Sequence, residues 1–403
     1  MTPNNKYLLI QLLLGTCIVN VAIYMSLPFL AIFLVKNTLL QPVLIGFVVG
    51  SASLAAIIGG SLSAYLSDKI GRRILLLISL VGTSLTFFGF FIVSLDQHKA
   101  LIIAIFSILN FFSGLCLYAF NPISQAILSD ITPLHLRASV FQWRYFAVNI
   151  GAAIGPILGI IFNLAATSMG FLISAIVFLI YAFTIGKLLD KTAETKNAGI
   201  IKNSDYKKFK FTPLLIYFLL YGILYNICYS QLNAPLSQYL FHNHTNGIHW
   251  FAISLVVNAL TVIIFQQPIY QLVKKLTYFY AFGIGVLLLS FSFLLLVLIG
   301  KTMTGFVVSI AFTGLSELFV FPLAIQYVDY IAPSHLKGAY FGIANLRRIG
   351  FFIGPIVGGW LLSETGGIRL FIISGIICLF SIIFLLQAKK DLNVFIRKEC
   401  MNG

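Results

Sequence analysis

Between Lys6 and Lys36 the chain carries no charged residue, and between Lys36 and Asp68 it again carries none. Apolar runs of this length recur through the sequence and restrict the fold more than any other feature. A helix crossing the hydrocarbon core of a membrane needs about 20 apolar residues, a barrel strand about 10. Only these two structures satisfy the backbone inside lipid, and the runs are too long for strands. With 60% of residues hydrophobic and 9% charged, a soluble globule is excluded, so an all-α membrane protein is expected. The first run greatly exceeds the 7–15 residues of a signal-peptide core, and it is expected to be a retained helix.

Twelve spans are expected, over residues 8–35, 43–66, 73–95, 100–129, 138–164, 167–187, 212–241, 250–273, 277–299, 303–329, 338–363 and 367–388. The net charge of +15 does not point to nucleic acid, because the bases alternate between the two sides of these spans. Lys6, Lys69, Arg72, Arg73, Arg137, Lys274, Lys275, Lys337, Lys389 and Lys390 fall on one side, whereas Lys36, Lys99, Lys301 and Arg369 fall on the other. By the positive-inside rule the first side is cytoplasmic and holds both termini. The lysine-rich stretch 190–211 reads as a flexible cytoplasmic linker or as a segment that meets lipid or a partner.

Phe112-Ser113-Gly114-Leu115 recurs as Phe312-Thr313-Gly314-Leu315, Pro122 answers to Pro322, and His135-Leu136-Arg137 answers to His335-Leu336-Lys337. After one residue of slippage, Gly155-Pro156 answers to Gly354-Pro355. Such a repeat marks a transporter made of two related bundles. The expected organisation is an N-terminal six-helix bundle over 1–189, the linker over 190–211, a C-terminal six-helix bundle over 212–388 and a cytoplasmic tail over 389–403.

One charged turn stands out, with Asp68, Lys69, Gly71, Arg72 and Arg73 packed between two apolar runs. It resembles the loop between helices 2 and 3 of the major facilitator superfamily, roughly G-x-x-x-(D/E)-(R/K)-x-G-(R/K)-(R/K), with Ala64 in place of the first glycine. Asp130, closing span 4 in Ser129-Asp130-Ile131-Thr132-Pro133, also resembles the family's pattern. The resemblance implies twelve helices in two pseudo-symmetric bundles and a cytoplasmic gate latch in which Asp68 faces the start of helix 11 and Arg72 meets Asp130. Topology and solubility at a loop would explain the same charges. The second half keeps only Lys274 and Lys275 at the corresponding place.

Gly151, Gly155, Pro156 and Gly159 in span 5, repeated as Gly350, Gly354, Pro355 and Gly358 in span 11, are small residues at four-residue spacing that let helices approach closely. The span 5 set resembles the glycine-proline motif of drug/proton antiporters in the superfamily, although internal duplication accounts for part of the match.

Glu317 is the one carboxylate placed deep in any span. A membrane-buried acid is costly and faces a cavity or a partner. Glu317 therefore either exchanges protons, alternating between a proton and a cationic partner, or forms a static ion pair; Arg347 and Arg348 are the candidate partners, at compatible depth. Arg144, the other buried base, either orients a substrate or reaches a helix-end carbonyl. The resemblance implies that helices 1, 4, 7 and 10 line a central cavity; their polar side chains include Asn20, Tyr24, Tyr118, Asn121, Tyr225, Gln231 and Asn233. Tyrosines at helical spacing also serve as packing. Helix 1 has no acid, which excludes proton coupling through a carboxylate there.

His242, His244 and His249 lack an accompanying cysteine or acid, and no metal site is expected. Cys17, Cys116, Cys228 and Cys378 lie in apolar runs and Cys400 in the tail, so no extracellular disulfide framework is expected. There is no Walker loop or nucleophile-base pattern, hence no enzyme and no cofactor.

The resemblance implies a monomeric proton-coupled exporter of an amphipathic or cationic small molecule in the bacterial inner membrane, working by alternating access with protons, solute and lipid as partners. A symporter or facilitator importing a nutrient is the alternative. A transporter-like receptor is a third reading.

Overall fold

A computed structural model describes residues 3–95, 102–189, 213–332 and 337–402, and every regular element among them is a helix. The expected linker and the second-half repeat at Pro333 and His335 lie outside the described residues. Eleven helical stretches are long and apolar enough to cross a membrane. The twelfth, over 337–365, is interrupted by a tighter turn.

The first span is α1 (Pro3–Ser26), a 3₁₀ turn (Leu27–Phe29) and α2 (Leu30–Asn37). It is followed by α3 (Pro42–Ile70), α4 (Arg72–Leu95), α5 (Ile102–Ile131), α6 (Arg137–Ile161) and α7 (Ser168–Leu189). The seventh span is also broken, into α8 (Pro213–Tyr229), a 3₁₀ turn (Ser230–Leu232) and α9 (Ala234–Asn243). Then come α10 (Gly247–Val273), α11 (Tyr278–Leu298), α12 (Met303–Ile331), α13 (Lys337–Ala344), a 3₁₀ turn (Asn345–Arg348), α14 (Ile349–Thr365) and α15 (Gly367–Asn402). The spans expected over 8–35, 212–241 and 338–363 are each interrupted by such a turn. Prolines explain two of the breaks, since Pro28 opens the first turn and Pro235 opens α9, each removing a backbone donor. At the third break Asn226 Nδ2 donates to the Arg347 carbonyl at 2.9 Å, supplying a side-chain partner to a backbone group in the tightened turn. The tail continues α15 as helix.

The helices α1–α7 pack mainly on one another, as do α8–α15, and two seams join the groups: α3 along α14 and α6 along α10. Outward faces are apolar. Leu85, Phe183, Ile264 and Leu386 are each more than three-fifths exposed, as befits surface that meets hydrocarbon tails. Inside the groups the core is aromatic: Phe87, Phe90, Phe106 and Phe171 cluster in the first, Phe218, Tyr221, Phe282 and Tyr327 in the second. Such rings contribute large buried area and edge-to-face contacts.

Glycines set the closest approaches. On α6, a side-chain carbon on Gly151, Gly155 or Gly159 would meet α1 at 2.6 Å (Asn20), 2.8 Å (Tyr24) and 2.9 Å (Met25). On α14, Gly350, Gly354 and Gly358 stand in the same way against Ile223, Ser230 and Gln231 of the seventh span. The opposite side of α14 is equally tight against α3, where Gly46 faces Pro355, Gly50 faces Phe352 and Gly359 faces Pro42.

Candidate functional site

A cavity of about 350 Å³ lies between the two groups, lined by Asn20, Tyr24, Tyr118, Asn121, Asn233 and Phe351 among others. Five of the seven polar or aromatic residues expected from spans 1, 4, 7 and 10 are thus brought together. Tyr225 and Gln231 are not among its lining residues and correct that expectation. Tyr225 is fully buried and shares a 2.7 Å hydrogen bond with Ser316, while Gln231 Nε2 donates to the carbonyls of Ile227 (2.7 Å) and Gly354 (2.9 Å). Both side chains turn into the second group because buried amides and hydroxyls find partners there.

Glu317 on α12 accepts two hydrogen bonds at Oε2, from the Tyr229 hydroxyl at 2.8 Å and from Asn258 Nδ2 at 3.0 Å. It also lies within electrostatic range of Tyr24 and Tyr145 in the first group. Tyr24 lines the central cavity, whereas Tyr145 lines a second cavity of about 390 Å³ between α6, α10 and α12, a mainly apolar space to which Gln142, Gln266, Gln267 and Gln326 add amides. The carboxylate itself is not among the lining residues of either cavity, and it is held by neutral donors.

The expected pairing of Glu317 with Arg347 or Arg348 is not made among the described residues. Arg347 lies over the Phe218 ring, 5.3 Å from its centre, and packs on Gly222; Arg348 lies over the Tyr118 ring at 4.8 Å. Gly222 is seven residues before Tyr229 on α8, a separation of about 10 Å at 1.5 Å per residue. Arg347 thus stands too far toward the Arg72 end. Tyr229 and Asn258 take the place of the expected arginines, and an amide within the apolar run Leu255–Thr261 is the signal in the sequence for Asn258.

Arg144 is 8% exposed. Its Nη2 donates to Asn121 Oδ1 at 2.7 Å and to Ser124 Oγ at 3.5 Å, so it reaches side chains of α5 rather than a helix-end carbonyl.

At the charged turn, Gly71 ends α3 with φ +88°, a conformation open to glycine and strained for other residues. The chain reverses there and α4 begins at once. Arg72 Nη1 donates to the Asp130 carboxylate and, at 3.3 Å, to the Ala126 carbonyl, tying α4 to α5. Lys69 is exposed. The side chain of Asp68 lies outside the described residues.

The sequence model of the Major Facilitator Superfamily matches residues 12–348. The chain belongs to this superfamily. It is a membrane transporter and not an enzyme. The chain is 30% identical over 364 residues to the uncharacterized MFS-type transporter YqjV of Bacillus subtilis (strain 168), covering 89% of this chain and 87% of that one. It is 26% identical over 376 residues to a Na(+), Li(+), K(+)/H(+) antiporter of Planococcus maritimus, covering 85% and 87%. The crystal structure of peptide transporter POT in complex with sulfate shares the fold, with a TM-score of 0.77 at 15% identity over 95% of this chain and 94% of that one.

Proposed function

We propose that this transporter exports an amphipathic or cationic small molecule in exchange for protons, with Glu317 as the proton-coupling group. The observation that carries the reading is the Glu317 carboxylate on a membrane-spanning helix, held by the neutral donors Tyr229 and Asn258 with no cation on it among the described residues. A carboxylate so placed can hold a proton or a solute cation, but not both. That exclusion is what couples the two fluxes. The relative that exchanges cations for protons supports antiport.

The working cycle is alternating access, in which the six-helix bundles 1–189 and 212–388 rock about the central cavity while the linker 190–211 and the tail 389–403 stay cytoplasmic. By the positive-inside rule the Arg72 end faces the cytoplasm, and the membrane in this reading is a bacterial inner membrane. Tight contacts at Gly46, Gly359 and Phe29 against Phe251 close the opposite end, and the glutamine-lined cavity opens toward the Arg72 end. This is the inward-facing arrangement. Here Glu317 releases its proton to the cytoplasm and takes up solute; after the bundles rock, a proton from outside displaces the solute. Arg72 with Asp130 stays within one bundle throughout, positioning Asp68 to latch the cytoplasmic ends when the far side opens.

The test uses the full chain in proteoliposomes loaded with the pH dye pyranine and made acid inside. A panel of amphipathic amines, zwitterions and carboxylates is added outside. Antiport requires that an active solute raise the internal pH as it enters. Further acidification would establish symport instead, and solute entry without any proton movement would remove the coupling altogether.

A further inference from the structure

Two arginines from opposite bundles meet one face of α5. Arg348 lies over the Tyr118 ring at 4.8 Å, and Arg144 donates to Asn121 at 2.7 Å. Positions three apart on a helix are neighbours, with Cβ atoms about 5–6 Å apart, and both Tyr118 and Asn121 line the central cavity. We propose that Arg144 and Arg348 form an oxyanion clamp at this wall of the cavity, and that the transported solute is a zwitterion whose carboxylate the clamp holds. This rests on the transport reading above, in which Glu317 receives the solute's cationic group, and it narrows the substrate class.

The partners of each arginine carry the assignment. Arg144 is buried, its hydrogen bonds go to an amide and a hydroxyl, and its Nε has no partner among the described residues. A buried cation without a counter-charge is costly. Arg348 is held by the face of a tyrosine ring, an attraction that leaves its N–H donors available. A guanidinium presents a fork that matches a carboxylate and binds it in bidentate fashion.

The charge balance points the same way. Arg144 and Arg348, each held against a side chain that lines the cavity, oppose Glu317, two positive charges against one negative, and neither is ion-paired among the described residues. A solute carrying only a positive charge meets a net repulsion there, whereas a zwitterion places its carboxylate on the arginine side and its ammonium toward Glu317. Tyr24, Tyr118 and Phe351 supply an aromatic lining for the apolar body. The clamp also joins the bundles, because Arg144 belongs to the first and Arg348 to the second. A carboxylate between them offsets the repulsion of two like charges and favours the conformer in which they are close.

The experiment compares three compounds of one skeleton: tryptophan, tryptamine, which lacks the carboxylate, and indole-3-propionate, which lacks the amine. Each is titrated against the purified full chain by thermal shift, without a proton gradient. The readout is the affinity ratio of tryptophan to tryptamine, expected to be at least about tenfold in the wild type, the loss typical of a charge-assisted contact. Arg144→Gln and Arg348→Gln are each expected to bring the ratio near one. Arg348→Lys, which keeps the charge but not the fork, should retain part of it. Tighter or equal binding of tryptamine, no stabilisation by either carboxylate, or a ratio unchanged in both glutamine variants would overturn the clamp. Because no gradient is applied, a clamp that passes while pyranine reports no proton movement contradicts antiport alone. Proton exchange driven equally by tryptamine and tryptophan contradicts the clamp alone.

Discussion

Glu317 keeps its place through two uncharged donors, and each hydrogen bond to a charged acceptor is worth about 1.5–3 kcal/mol. Asn258→Leu and Tyr229→Phe are therefore each expected to slow proton-linked exchange by about tenfold or more while leaving the fold intact, as checked by initial rates in pyranine-loaded proteoliposomes. Arg72 and Asp130 belong to a different class. Their side chains are 15% and 35% exposed, and partly exposed pairs contribute about 0–1 kcal/mol. Asp130→Asn should thus barely move the melting temperature yet slow transport several-fold, the signature of a latch rather than a structural tie. The acid itself was legible from sequence, since one carboxylate in an apolar span has few innocent explanations. Its partners were not. Depth along a span follows from counting residues, but Glu317 turns toward α8 and α10, and azimuth depends on how helices far apart in the chain pack.

Among the elements, α6 and α14 do corresponding work with glycines spaced by four. The repeat of Gly155-Pro156 as Gly354-Pro355 was readable because small residues at helical spacing leave a pattern, and each stripe lies on the first or seventh span. The breaks in those spans were less readable. Pro28 and Pro235 are visible signals, but the turn at Asn345–Arg348 contains no proline and depends on Asn226, which is distant in sequence. The two kinds of glycine contact should respond differently. Gly155→Ala forces α1 and α6 apart within one bundle, and overpacking of this sort costs about 1–3 kcal/mol. A lower melting temperature is expected. Gly46→Ala acts at a seam that parts in each cycle, so it should destabilise the conformer closed at this end relative to the one open there. Spin-label distances across α3 and α14 should lengthen with little change in melting temperature.

For the whole molecule, the twelve spans and their pairing into halves were the most legible part, because hydropathy and the long-range repeat both report on them. Which end is closed was not legible, since it depends on contacts between the halves. Phe47 and Phe352 meet across the α3–α14 seam with ring centres 5.9 Å apart. Replacing both by cysteine, in a chain stripped of its own cysteines, and joining them with a short thiol cross-linker should stop flux until a reductant is added. Continued flux with the link in place would contradict rocking at this seam. The central claim is that Glu317 couples protons to solute. It is tested most directly by measuring proton-driven solute flux and solute-solute counterflow side by side in Glu317→Gln proteoliposomes. Proton-driven flux should fall at least about a hundredfold, a barrier change of about 2.7 kcal/mol, while counterflow persists once the solute concentration is raised to offset the lost contact with its cationic group; proton-driven flux that survives the substitution would contradict the claim.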